Sequence, residues 1–292
     1  MTPLRKRMSE ELQLRNLSEG TSDTYLRAVA RFARHFGKSP EQLGAEDVRR
    51  YLLYLLEDKH DTWSTIQVNR GALKFLYLRV LKQRWFDDEI AAPKRRPLLP
   101  TVLTPEEVTR MLDRTTNLKH WTILATFYST GLRSRELRLL RVDDIDSRAM
   151  IIHVRHGKGD VPRDIGLSPV LLERLRVYWR WRKPKDWLFP SKLHPDSPMK
   201  PKAIWHVCLN AGRRAELRKR VTPHVMRHSC ATSLLDAGAD LRTIQVLLGH
   251  ADIRTTARYL RVSTQRLHAI PSPLDSLSFQ PIFHSSDDRR QR

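Results

Sequence analysis

Between Thr222 and Leu260 the chain reads TPHVMRHSCATSLLDAGADLRTIQVLLGHADIRTTARYL, which brings His224, Arg227, His250 and Tyr259 into one short, strongly helical stretch. A phenol beside one arginine and two imidazoles suits attack by the tyrosine oxygen on a phosphodiester. The phenol, with a pKa of about 10, needs help to lose its proton, and the phosphorus transition state carries negative charge that fixed cations stabilise. His224 and Arg227 stand three residues apart, so they share a helical face able to hold a phosphate. His250 lies just past the helix stop LLG, and Tyr259 follows nine residues later. Each of these alone has a plainer reading, as a surface pair, a helix end or a core tyrosine.

Two upstream segments extend the set. Gly131 breaks one helix and Arg133 opens the next, a place where anions are favoured, with Glu136 one turn on to hold the arginine. Lys158 sits at the tip of the glycine-flanked turn His156-Gly157-Lys158-Gly159-Asp160, placed to enter a groove and give up a proton. His224, His228 and Cys230 lack carboxylate or thiol partners at ligand spacing, so no metal is expected there. There is no phosphate-binding Walker loop either. No cofactor is therefore expected.

Charge says what such a site would meet. The 53 Lys and Arg against 32 Asp and Glu leave +21, and the sequence pI is near 10.6. An excess of that size repels itself unless a polyanion neutralises it, which favours nucleic acid as partner. Residues 99–268 carry 31 basic and 16 acidic residues, against 19 and 13 in residues 1–98, so the field is concentrated around the suspected chemistry. No apolar run approaches the roughly 20 residues of a membrane span, and the basic N-terminus has no apolar stretch behind it to make a secretory signal. Two cysteines, Cys208 and Cys230, form no framework; they read as small core residues in a reducing cytoplasm.

The elements that must position these residues are mostly helical. In the first 85 residues the spacing predicts a helix capped by Thr21 or Ser22 and closed by Gly37, a second over 47–56, a third over 64–82, and a short one at the start. Residues 91–103, AAPKRRPLLPTVL, read as an extended linker rich in proline and charge. Thr104-Pro105-Glu106-Glu107 is a capping box that opens a second domain. Beyond it the pattern gives helices over 118–129, 171–181 and 203–217, and two strands, 150–154 and 161–167, forming a hairpin. Helices resume from Pro223, with stops at Gly238 and Gly249 and a cap at Asp240. The fold expected is mainly α: a helical domain over 1–90, a linker over 91–103, a mixed but mostly helical domain with a small antiparallel sheet over 104–268, and a polar tail over 269–292 that is expected to be mobile.

Four segments in this order, TGLRSREL, GKGDVPR, HVMRHSCAT and LLGHADIRTTARY, resemble the tyrosine recombinases, the phage integrase and Xer family. The resemblance spans residues 20 to 262 approximately, including the helical N-terminal part and the linker. It implies a SAM-like core-binding domain followed by the catalytic domain. It also implies Tyr259 as nucleophile, Arg133 and Arg227 on the scissile phosphate, and Lys158 as general acid for the 5′-oxygen. His224 would assist proton transfer at the tyrosine, His250 would hydrogen-bond a phosphate oxygen, and Glu136 would support Arg133. Lys94, Arg95, Arg96 and Arg163 are expected to touch DNA.

Departures from the family pattern are confined to the hairpin, where Val161 stands at a commonly basic position and Gly166 at a common proline, while Arg163 keeps the later basic residue. The function implied is site-specific recombination of double-stranded DNA by a homotetramer through a 3′-phosphotyrosyl intermediate, alone or with DNA-bending proteins or a partner recombinase. Mobile-element integration or excision and dimer resolution both fit. The competing readings are a non-catalytic DNA-binding regulator, a strand-relaxing enzyme like the type IB topoisomerases, and an RNA-binding helical protein. The last explains the charge but not the constellation.

Overall fold

A computed structural model of the chain describes residues 2–85, 99–155, 162–249 and Thr256. Two compact units divide it, Met1–Pro97 and Leu98–Arg292.

In the first unit, α1 (Pro3–Leu14) is a full twelve-residue helix rather than a short one, because Met8 and Leu12 on its inner face are buried. Helix α2 (Glu19–Phe36) begins earlier than the Thr21 or Ser22 cap expected. The Ser18 hydroxyl accepts from the Thr21 N–H at 3.3 Å, which places Thr21 inside the first turn. Helix α3 (Ala45–Glu57) likewise starts before Asp47, whose carboxylate reaches back to accept from the Gly44 N–H at 3.0 Å. The single helix expected over 64–82 is α4 (Trp63–Phe75) followed by a widened π-helical stretch over Leu76–Val80. That stretch keeps Leu76, Tyr77 and Val80 all fully buried. The Tyr77 hydroxyl donates to the carbonyl oxygens of Leu43 at 2.6 Å and Pro40 at 3.2 Å, tying the end of the bundle to the α2–α3 connection. Phe32 and Tyr51 meet edge to face at 5.2 Å in the middle of the core.

In the second unit the capping box forms as the sequence requires. The Thr104 N–H donates to Glu107 Oε2 at 2.9 Å and the Glu107 N–H to Thr104 Oγ1 at 3.3 Å, opening α5 (Pro105–Asp113). Leu103, assigned above to the linker, is a core residue, and its N–H donates to Ser229 Oγ at 2.8 Å. Helix α6 (Leu118–Thr130) buries Ile123, Leu124 and Phe127, and its threonines 122, 126 and 130 return their hydroxyls to carbonyls one turn earlier. The one-turn α7 (Ser134–Arg138) follows immediately.

The sheet has three antiparallel strands in the order β1 (Ile145–Asp146), β2 (Ile151–Val154), β3 (Arg163–Gly166). The sequence pattern gave no sign of β1, since two residues are too few to show alternation. Ile152 pairs with Ile165 and Val154 with Arg163. Ile152, Val154 and Ile165 face the core, whereas His153 and Asp164 pair with each other on the outer face at 2.8 Å.

Helices α8 (Pro169–Arg182) and α9 (Pro201–Arg214) lead to α10 (Pro223–Asp236) and α11 (Leu241–Leu248). Helix α10 is buried on nearly every side, from Val225 through Leu235, and packs against α6, α9 and α11. Asp240 caps α11 as expected, accepting from the N–H groups of Arg242 and Thr243. Cys208 and Cys230 are free and buried, and burial pushes both thiols up to about 12. Among the described residues no helix is long and apolar enough to cross a membrane.

Removing the Tyr77 hydroxyl takes a buried donor from Leu43 O, while Pro40 O keeps the Leu43 N–H. Tyr77→Phe is expected to cost the N-terminal unit about 1–3 kcal/mol in urea unfolding, with the C-terminal unit's transition unmoved.

Candidate active site

Glu136 is the centre of the described site. It lies in α7 with its side chain 1 % exposed, and its carboxylate is surrounded by three guanidiniums. Arg133 Nη1 donates to Oε1 at 2.7 Å, and the Arg133 backbone N–H donates to Oε2 at 2.8 Å. Arg163 makes a two-pronged contact, Nη1 to Oε1 at 3.1 Å and Nη2 to Oε2 at 2.9 Å. Arg227 Nη1 stands 3.9 Å from Oε2. Burial alone would push the Glu136 carboxyl up. The hydrogen bonds and charges of Arg163 first, then of Arg133, outweigh it and hold the group below the usual carboxylate value.

The same three arginines take the last carbonyls of the α11 segment. Arg163 Nε donates to Leu247 O at 2.8 Å, Arg227 Nη2 to Leu248 O at 2.6 Å, and Arg133 Nη2 to Gly249 O at 2.7 Å. A helix end leaves such carbonyls without intrahelical donors and carries partial negative charge, so it is a natural seat for cations. Arg227 also donates to Gly131 O at 2.7 Å, closing α6 as well. Two glycines permit this convergence. Gly131 has φ +61, and a Cβ there would stand 2.5 Å from Leu248 Cδ2; Gly249 has φ +62.

Arg133 and Arg227 are thus brought together, and Glu136 holds Arg133 as the three-residue spacing requires. Helix α7 is too short for its dipole to matter, and it is the Glu136 carboxylate and the carbonyls of α11 that orient Arg133. Arg227 is no surface residue; it is 3 % exposed. His224 is exposed on the first turn of α10, and its ring lies 6.4 Å from that of His228. Desolvation first, then the charges of Arg227 and Arg133, lowers its pKa, so the imidazole is neutral near pH 7 and able to accept a proton. Among the described residues no group of three or more His, Cys, Asp or Glu is placed to hold a metal ion.

Arg163, expected to touch DNA, instead spends its guanidinium inside the protein, with the side chain 9 % exposed. The signal was present in the strand pattern: Arg163 precedes the inward-facing Ile165 by two residues, so it shares the inner face. Lys158, His250 and Tyr259 lie outside the described residues, as do Lys94, Arg95 and Arg96 and the tail over 269–292.

The profile of the phage integrase family matches residues 101–266, and that of the phage integrase N-terminal SAM-like domain matches residues 4–87. The chain belongs to the phage integrase family. It is a tyrosine-type recombinase by that membership, and its two units, the helical N-terminal one and the mostly helical one with a small sheet, have the architecture the resemblance implied. A Sinorhizobium fredii protein named as an integrase/recombinase, y4qK, is 46 % identical over 95 % of this chain and 90 % of its own length. The tyrosine recombinase XerA of Pyrococcus horikoshii is 32 % identical over 88 % of each. The same fold recurs in the solved structure of the XerH site-specific recombinase bound to its difH substrate, with TM-score 0.69, 24 % identity, and coverage of 87 % of this chain and 80 % of that one.

Replacing Glu136 leaves three guanidiniums with no counter-charge. Glu136→Gln is expected to destabilise the C-terminal unit by about 3–5 kcal/mol in urea unfolding. In the parent protein the Glu136 contribution is present above the ordinary carboxylate pKa and is lost as pH falls through its depressed value. The variant's stability should be flatter with pH across that acid range.

Proposed function

We propose that this recombinase cleaves and rejoins duplex DNA at specific sites through a covalent 3′-phosphotyrosyl intermediate on Tyr259. The observation that carries the reading is the convergence of Arg133 and Arg227 on one buried carboxylate: three guanidiniums around one Glu136 leave a local charge of about +2. A preorganised excess of positive charge favours a bound phosphodiester and favours still more the extra charge of a pentacoordinate phosphorus. Loss of one such donor typically costs ~10²–10³ in rate.

In the proposed reaction the Tyr259 oxygen attacks phosphorus and the bond from phosphorus to the 5′-oxygen breaks. His224 takes the phenolic proton, in keeping with its depressed pKa. Lys158 gives a proton to the departing 5′-oxygen, and His250 donates to a non-bridging oxygen. Attack by a 5′-hydroxyl on the phosphotyrosine reverses these steps and releases the enzyme. The ester bond is conserved in the protein–DNA link, so neither nucleotide hydrolysis nor a metal is needed.

The N-terminal domain, residues 1–90, and the catalytic domain, 104–268, would both hold the duplex, with Lys94, Arg95 and Arg96 of the linker, residues 91–103, along its backbone. XerH is bound to its difH substrate in its complex, and the +21 charge of this chain suits the same class of ligand. Paired strand exchange requires two sites and four active tyrosines, hence a homotetramer on DNA. The enzyme would work in the cytoplasm on mobile-element or dimer-resolution sites.

Purified protein should form a denaturant-resistant adduct with nicked target duplex, and Tyr259→Phe should abolish it while DNA binding persists. An adduct surviving in that variant would sink the nucleophile assignment. Because the His224 pKa is depressed, the adduct-forming rate should hold down to about pH 6.5 and decline only below it; in His224→Gln that acid limb should vanish along with most of the rate.

A further inference from the structure

Arg163 is the one residue of the arginine cluster that is given no contact with the phosphate in the reaction proposed above. It is nonetheless engaged along both edges of its guanidinium. Its Nη1 and Nη2 clasp both oxygens of Glu136, and its Nε donates to Leu247 O. Its side chain lies close to Gly249: a Cβ added there would meet Arg163 Nη1 at 3.1 Å, Cζ at 3.2 Å and Cδ at 3.3 Å. Three structural elements therefore close on one side chain. It belongs to β3 and grips α7 through Glu136 and α11 through Leu247, with Gly249 close beside it.

We propose that Arg163 is a positioning residue for strand cleavage, setting Glu136, and through it Arg133 and Arg227, against the end of α11. The inference rests on the recombinase reading of the site. In sequence, Arg163 comes five residues after Lys158, and Gly249 immediately precedes His250. A single buried guanidinium thus holds the strand that follows one proposed catalytic residue against the helix end that precedes another.

The charge arithmetic supports a positioning task. With Arg133 and Arg227 alone, the singly charged Glu136 could be approached from several directions. Occupying both carboxylate oxygens from the Arg163 side fixes the plane of the carboxylate and hence where Arg133 Nη1 can meet Oε1. Lysine cannot reproduce this geometry, because one ammonium cannot make a planar two-pronged contact and a third bond to a carbonyl on its other edge.

Arg163→Lys keeps the charge and is the discriminating variant; Gly249→Ala, which crowds the guanidinium and also strains the backbone at φ +62, is the second. Each is compared with the parent in three measurements: amide hydrogen exchange at Leu248 and Gly249, affinity for target duplex, and the first-order rate of adduct formation at saturating protein. In Arg163→Lys, exchange at those amides should be about tenfold faster while the interior of α10 is unchanged. The adduct rate should fall by about 10–100-fold, since small misplacements of catalytic groups have effects of that order, with affinity within about twofold. Gly249→Ala should move the same quantities in the same direction.

The proposal is overturned if the rate is unchanged, if affinity falls as far as the rate does, or if exchange at the end of α11 is unaffected. A parent protein that forms no adduct would instead sink the recombinase reading. The exchange comparison would then still decide whether Arg163 holds α11.

Discussion

Everything in the C-terminal unit is arranged around a charge problem: three guanidiniums packed about a single buried carboxylate. Like charges at such distances repel strongly where water is scarce. Glu136 compensates for one of them, and the partial negative charge at the end of α11 lowers the cost of the other two. The cluster is thus held together by Glu136 and the α11 carbonyls against a remaining excess of positive charge. In the proposed reaction a phosphate completes that balance.

The packing around the cluster follows from it. Helix α10 must be buried to bring Arg227 inward, and it is the helix with the most continuous burial in the unit. Helix α6 must stop abruptly so that its last carbonyl can accept from Arg227, and Gly131 supplies both the turn and the space for Leu248. The sheet brings Arg163 in on its inner face, where the neighbouring positions are aliphatic. The hydrophobic core and the polar site share one set of constraints, in which aliphatic packing decides which helices touch and the arginines decide how they end.

Much of this is legible in the sequence. Caps and stops carried in single residues, the Thr104 box, the Asp240 cap and the glycines at 131 and 249, fall where local chemistry requires them. The pairing of Arg133 with Glu136 also follows from a three-residue spacing. What was hidden depends on distant partners. The Ser18 cap was passed over because Thr21 and Ser22 are equally good capping types, and only the backbone bond distinguishes them. The π stretch after Phe75 keeps an apolar pattern close to that of an ordinary helix, so periodicity cannot reveal it. The internal partners of Arg163 are hidden because a basic residue near a hairpin in a basic protein looks like a DNA contact. Its partners lie 27 and 84 residues away in sequence, and only the strand's alternation hinted at them.

The three arginines reach the end of α11 from three elements, α7, β3 and α10, and each takes a different one of three consecutive carbonyls. Consecutive carbonyls of a helix point about 100° apart. Inserting or deleting one residue within α11 would therefore turn every acceptor away from its arginine at once, whatever the inserted side chain. The length of this helix is consequently set by polar geometry rather than by packing. Variation among proteins that keep this cluster should accumulate there as substitutions, with changes of length displaced to the connections before Asp240.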